Sequence, residues 1–221
     1  MRRIFVFLLC AVVFVACGED FSKAERALIR KYNGDIMPVM SIASKTDSLL
    51  LRQNSLKVSE RMALAEEFTL LKRSMLSTVK DPQNEGVGIA APQVGLLRRM
   101  VAVQRFDKAG EPFEFFLNPE IIAMLGENKP GGEGCLSVPD MRGVVSRSHH
   151  IVLRYRDVDF VEHTDTIEGF ENMTREECNE LGLNESMIHV DFMIGCDTMN
   201  IDAICEDGST VAIFRNGNWA F

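Results

Sequence analysis

The chain has 221 residues, 46% hydrophobic and 25% charged, enough for one well-packed core with a small annex. A formal net charge of −8, with no long basic run, excludes nucleic acid as a partner, because phosphate binding needs a basic face. Six cysteines with no CxxC pair do not make a disulfide framework in a chain of this size, although an oxidising compartment would permit a single bridge.

The first element is MRRIFVFLLCAVVFVACGED. Arg2 and Arg3 precede a continuous apolar run over 4–16, which is too short for a membrane span of about 20 residues but suits a secretory signal. Its end, FVAC followed by Gly18, Glu19 and Asp20, resembles a bacterial lipoprotein signal. That resemblance implies lipidation at Cys17, export and a membrane-tethered cell-envelope protein. A plain signal cleaved nearby is the alternative, and it exports the protein without the anchor.

Residues 18–45 are polar, with weak periodicity, and are expected as a tether. From Ser59 onward, Leu64, Phe68, Leu71, Met75 and Val79 recur at helical spacing, predicting an amphipathic helix that stops at Asp81-Pro82. Strands are expected at 100–106, 113–119, 143–157 and 160–168, short apolar or β-branched runs parted by Gly, Pro and Asp. Helix beside antiparallel strands gives an α+β class. Beyond residue 169, Thr174 and Glu177 form a capping-box pattern that predicts a short helix ending near Gly182. IHVDF at 188–192 alternates like a strand, and NIDAICEDGSTVAIF predicts a hairpin turning at Asp207-Gly208.

Two stretches carry chemistry. In GVGIAAPQVG at 86–95, small residues free the backbone for close approach beside one amide, Gln93. This suits pairing with an extended peptide and donation to its carbonyl, and it is equally the composition of a tight loop. In EGCLSVP at 133–139 a single Cys135 stands between glycine and an apolar run. Together with the intervening FLNPEI and the later RGVVSRSHHIVLRYRD, these motifs resemble bacterial peptide deformylase over residues 45–169. The resemblance implies antiparallel sheets around a helix and a metal-dependent amidase, holding iron or zinc, that removes the formyl group from N-formylmethionyl peptides. It matches Cys135 to the thiolate ligand, Gln93 and the Leu136 backbone N–H to oxyanion donors, and Gly88 and Ile89 to the peptide-gripping strand.

The resemblance also implies an HExxH helix just beyond IEGF, with two histidines at i and i+4 on the metal and a glutamate as proton shuttle. ENMTREECNELG stands there instead. The chain's four histidines, His149, His150, His163 and His189, include no pair at that spacing. In the strand at 143–157, His149 and His150 face opposite sides, and His163 is expected in solvent. Residues 171–221 resemble the C-terminus of thermophilic-type metallo-aminopeptidases, where His189 and Asp191 would be two ligands of a two-metal site whose other ligands lie upstream in that family. The organisation expected is a signal at 1–17, a tether at 18–45, a deformylase-like domain at 46–169 and an aminopeptidase-like fragment at 170–221. The expected partners are an extended or N-formyl peptide and, through the lipid anchor, a membrane. Deformylation is expected to be lost or severely impaired with the HExxH helix, since only Cys135 with His189 and Asp191 remain to hold a metal; a peptide-binding lipoprotein or a join of two genes are the alternatives, and aminopeptidase activity is not expected.

Overall fold

The protein is described from a computed structural model. It describes residues 20–84, 86–168, 201–204, 210–215 and 218–220. The order is α1 (Lys23–Tyr32), α2 (Lys45–Leu51), α3 (Glu60–Ala63), α4 (Glu66–Val79), then β1 (Gly88–Ala90), a 3-10 turn (Ala91–Val94), β2 (Met100–Gln104), β3 (Phe113–Cys135), β4 (Val138–Arg156) and β5 (Glu162–Glu168). The five strands pair antiparallel in chain order, a meander beside helices, and the class is α+β.

Strand alternation sorts the core into two faces. Met100, Ala102 and Leu117 join Phe68, Leu71, Met75 and Val79 of α4 and Ile29 of α1 in one cluster. Their neighbours Val101, Val103 and Phe116 join Ile151, Leu153, Tyr155 and Ile167 in the other. Apolar residues on both faces explain why MVAV in β2 reads as an unbroken run.

The segment expected as a tether is packed against the domain from Asp20 onward. Ser22 caps α1 in a reciprocal box with Glu25 (Glu25 N–H to Ser22 Oγ 3.2 Å, Ser22 N–H to Glu25 Oε2 2.7 Å). Phe21, Ile29 and Met37 enter the core. Polar side chains of α4 fasten the stretch after α1: Gly34 N–H donates to Ser74 Oγ at 3.1 Å, and Met37 N–H donates to Thr78 Oγ1 at 2.9 Å. Two ion clusters complete the attachment. Glu67 receives Arg26 (2.7 Å) and Arg30 (2.6 Å), and Arg98, 3% exposed, forks onto Glu25 at 2.6 and 2.9 Å.

The single helix expected from Ser59 is two. Ser59 caps α3 by accepting from Met62 N–H at 3.1 Å, and the chain turns at Leu64-Ala65 before α4 begins. Leu64, expected on the buried stripe, is 83% exposed because it sits at that break, while Phe68, Leu71, Met75 and Val79 are buried as expected.

β3 and β4 run well beyond the expected 113–119 and 143–157. Backbone pairing continues through Gly131↔Val145 and Gly132↔Val144 to Cys135↔Val138, so Leu136 and Ser137 form the tip of a long hairpin. The glycines give no strand signal of their own, and the β-branched partners opposite supply the preference for extended chain. At the base of this hairpin Asn118, with φ 51°, breaks the register and uses its side chain as a surrogate peptide. It accepts from Val58 N–H and donates to Val58 C=O, both at 2.8 Å.

At the far end of the chain, β6 (Ile201–Ile204), β7 (Thr210–Arg215) and β8 (Asn218–Ala220) form a three-stranded antiparallel sheet. The expected β6–β7 hairpin is therefore present, with a third strand added. Its turn, the short helix expected after Thr174 and the strand at 188–192 lie outside the described residues. Among the described residues no helix is long and apolar enough to cross a membrane.

Candidate functional site

The site forms where the 3-10 turn after β1 meets the β3–β4 hairpin tip. Pro92 stands in the first two residues of the turn, where its missing N–H costs nothing, and Gly95, at φ 84°, ends it in a left-handed conformation that an L side chain would strain. This places Gln93 inward, 6% exposed. Its Oε1 accepts from Ala90 N–H at 2.9 Å, and its Nε2 donates to Ser137 Oγ at 3.2 Å and to Cys135 Sγ at 3.8 Å. A backbone N–H can only donate, so the end of the amide that meets Ala90 is the oxygen, and the nitrogen is the end aimed at Cys135.

A short strap fixes the two halves relative to one another. Met40 N–H donates to Gln93 C=O at 2.8 Å, and Ile42 N–H donates to Ser137 C=O at 2.9 Å. Ser137 is buried, and Cys135 and Leu136 are half-buried. Leu136 sits at the tip close to Gly86, where an added Cβ would come within 3.4 Å of Leu136 Cδ1. Gly88 and Ile89 pair through β1 with Val103 and Ala102 of β2. Within the five-stranded sheet β1 has a neighbour on one side only, so its other edge faces away from the ladder.

The structure thus brings Gln93, Cys135 and Leu136 together next to β1. Ser137, the Ala90 N–H and the Met40–Ile42 strap were given no role from sequence. Ser137 stands in the quoted EGCLSVP motif, and a hydroxyl two residues from the thiol was the available signal. His189, Asp191 and Cys17 lie outside the described residues. Among the described residues no three His, Cys, Asp or Glu side chains gather into a metal-binding group. One thiolate falls short of the three protein ligands a catalytic zinc takes, so the described donors do not fit an iron or zinc site.

His163, expected in solvent, is engaged elsewhere. Its Nε2 lies 2.7 Å from Asp157 Oδ2 and its ring stacks on Tyr155 with centroids 5.3 Å apart. Tyr155 in turn donates its hydroxyl to Asp165 at 2.7 Å, and burial with that carboxylate raises its pKa. His150 of β4 is half-buried.

The polypeptide deformylase family model matches residues 39–175, more than half of the chain. The chain belongs to the polypeptide deformylase family. The peptide deformylase of Leptospira biflexa serovar Patoc is 39% identical over 145 residues, covering 62% of this chain and 80% of that protein. The solved Met-Ala-Ser-bound class I type b peptide deformylase from Acinetobacter baumannii is 27% identical, with a TM-score of 0.53, covering 70% of this chain and 97% of that one. A second model, the thermophilic metalloprotease (M29), matches residues 162–219. Aminopeptidase AmpS of Bacillus subtilis is 64% identical over 55 residues, 25% of this chain but 13% of that enzyme. The two matched ranges overlap over residues 162–175, which include β5.

Proposed function

We propose that this protein is a deformylase-type peptide binder that keeps the substrate wall of its family and has lost turnover. The observation that carries this reading is the Gln93 amide, buried and turned with its nitrogen toward Cys135, beside β1, the end strand of the sheet. An extended peptide can pair with that edge through its main chain while its terminal formyl oxygen accepts from Gln93 and from the Leu136 N–H. The Acinetobacter baumannii relative solved with Met-Ala-Ser supports a peptide as the ligand class.

Turnover needs more than this wall. Deformylation in the family takes a divalent metal and a proton shuttle, and no HExxH occurs among the 221 residues. Cys135 is therefore one ligand of an incomplete site, and His189 with Asp191 is a weak substitute for two histidines. The tail spans too little of AmpS to carry aminopeptidase chemistry. Its high identity over so short a range favours an origin as a join of two genes. Intact mass of the protein from its native cells, with sequencing across residue 169, tests that origin.

Export and a lipid anchor at Cys17 complete the proposal, and they rest on the apolar run before FVAC. Release of the protein from the membrane fraction by Cys17→Ser tests the anchor. The central test is calorimetry of the full chain with N-formyl-Met-Ala-Ser, paired with an assay for released formate. Binding without formate is the expected result. Formate release that disappears in Cys135→Ala overturns the loss of turnover, and absence of binding overturns the proposal itself.

A further inference from the structure

Gln93 offers two N–H bonds and a peptide carbonyl needs one of them. Which one faces the site is decided by what holds the other. The Ala90 N–H settles which end of the amide is oxygen but leaves the carboxamide able to swing about that contact. Ser137 Oγ, 3.2 Å from Nε2 and buried with the rest of its side chain, takes one of the two N–H bonds. The remaining N–H is the one that donates to Cys135 Sγ at 3.8 Å, a long contact that a ligand carbonyl beside the sulfur would replace.

Ser137 can serve this purpose only if the hairpin tip is itself fixed against the 3-10 turn, and it is. The Met40–Ile42 strap bonds to the backbone carbonyls of both Gln93 and Ser137, so donor and acceptor are referenced to one short piece of chain. The hydrogen bonds that hold Gln93 to Ala90 and Ser137, and the strap to both, join uncharged groups, and solvent and salt do little to loosen such directional bonds where they are buried.

We infer that Ser137 is a positioning residue: its hydroxyl commits one Gln93 N–H so that the other is presented to a ligand carbonyl next to Cys135. The inference deepens the peptide-binding reading and rests on it for the ligand, but the orientation of Gln93 can be read without any ligand. The test uses the isotope-labelled full chain and follows the Gln93 side-chain amide signals, assigned by their disappearance in Gln93→Glu. In the wild-type protein the two protons are expected at distinct positions with slow exchange. Ser137→Ala is expected to bring them together and speed their exchange at least about tenfold, and to weaken N-formyl-Met-Ala-Ser binding by about fivefold, the scale of one neutral hydrogen bond. Ser137→Thr, which keeps the hydroxyl, is expected to restore both signals and affinity. Ser137→Val, its isostere without the hydroxyl, is expected to behave like Ser137→Ala and serves in its place should that variant not fold. A merely structural role would make Thr and Val equal, and that equality overturns the inference, as does an unchanged Gln93 pair in Ser137→Ala. If the wild-type chain binds no peptide, the peptide reading fails and the Gln93 signals alone decide on Ser137.

Discussion

The two ends of the five-stranded sheet handle polar side chains in opposite ways. At the β1 end they are buried or half-buried and committed: Gln93 to Ala90 and Ser137, Arg98 to Glu25, Asn118 to both backbone groups of Val58. At the β4–β5 end they are charged and wet. Arg154 meets Glu120 and Arg156 meets Glu162 with side chains that keep a third or more of their exposure, and stability there comes from apolar contact such as Phe116 against Tyr155. The difference teaches where precision is spent. A buried amide needs neighbours that leave it no alternative, whereas charges on an exposed sheet face are already satisfied by water.

The largest expected effect tests the apolar end. Phe116 is fully buried under the edge of Tyr155 at 4.6 Å, and Phe116→Ala is expected to cost about 4 kcal/mol through lost transfer energy and an unfilled cavity. Urea unfolding followed by circular dichroism measures it. A loss below about 1 kcal/mol would mean that this end is held by its charges after all. Next comes Arg98→Ala at the committed end, expected to cost about 3 kcal/mol because it strands the Glu25 carboxylate. Arg98→Met with Glu25→Leu, which removes both charges, is expected to recover much of that loss. Failure to recover would show that the fork does more than neutralise its partner.

Acid separates the ends more gently. The hydrogen bond from Arg26 holds the Glu67 carboxyl below its ordinary pKa against the cost of burial, and Arg30 adds to it. Burial pushes Glu25 up, but the Arg98 fork and the Ser22 cap outweigh it and leave its pKa lowered. A carboxylate with a depressed folded pKa adds stability that is complete above its unfolded value, about 4.3 for Glu, and lost as pH falls through the folded value. Urea midpoints are therefore expected to hold from neutral pH down to about 5 and to decline below about 4. Glu67→Gln lowers the plateau and flattens that decline, and an acid limb of unchanged steepness in this variant would remove Glu67 from the account.

Much of this arrangement was legible in the residues. The α4 stripe from Phe68 to Val79 and the α+β class followed from spacing, and the meeting of Gln93 with Cys135 from the resemblance to the deformylases. What was passed over has a common physical cause. Ser22 and Glu25 spell a capping box, yet the helix they start buries only Ile29, and it is fastened by ion pairs of Glu25 and Arg26 that periodicity does not register. The turn at Leu64-Ala65 hid because its apolar residue falls on the stripe while a second cap at Ser59 had already used up the first helix. The hairpin through Gly131 and Gly132 depends on strand partners distant in sequence, and Ser137 gains its role only once the strap brings it to Gln93.

The smallest expected effect is the sharpest check on the comparison. Glu120 and Arg154 face each other across β3 and β4 at 2.7 Å, close to the 2.6 Å of the buried Arg98–Glu25 pair. Their hydrogen bond lowers the Glu120 pKa and raises that of Arg154. Both side chains remain about half exposed, so water already satisfies the two charges before they meet, and ordering two long side chains offsets most of the gain. Glu120→Gln is therefore expected to leave the urea midpoint unchanged within error at physiological salt. Raising the salt is expected to alter the wild-type protein and this variant alike. A midpoint that drops as it does for Arg98→Ala would show that geometry, not burial, sets the worth of an ion pair here. An unchanged midpoint assigns the exposed charges of that end to keeping the strand surface wet.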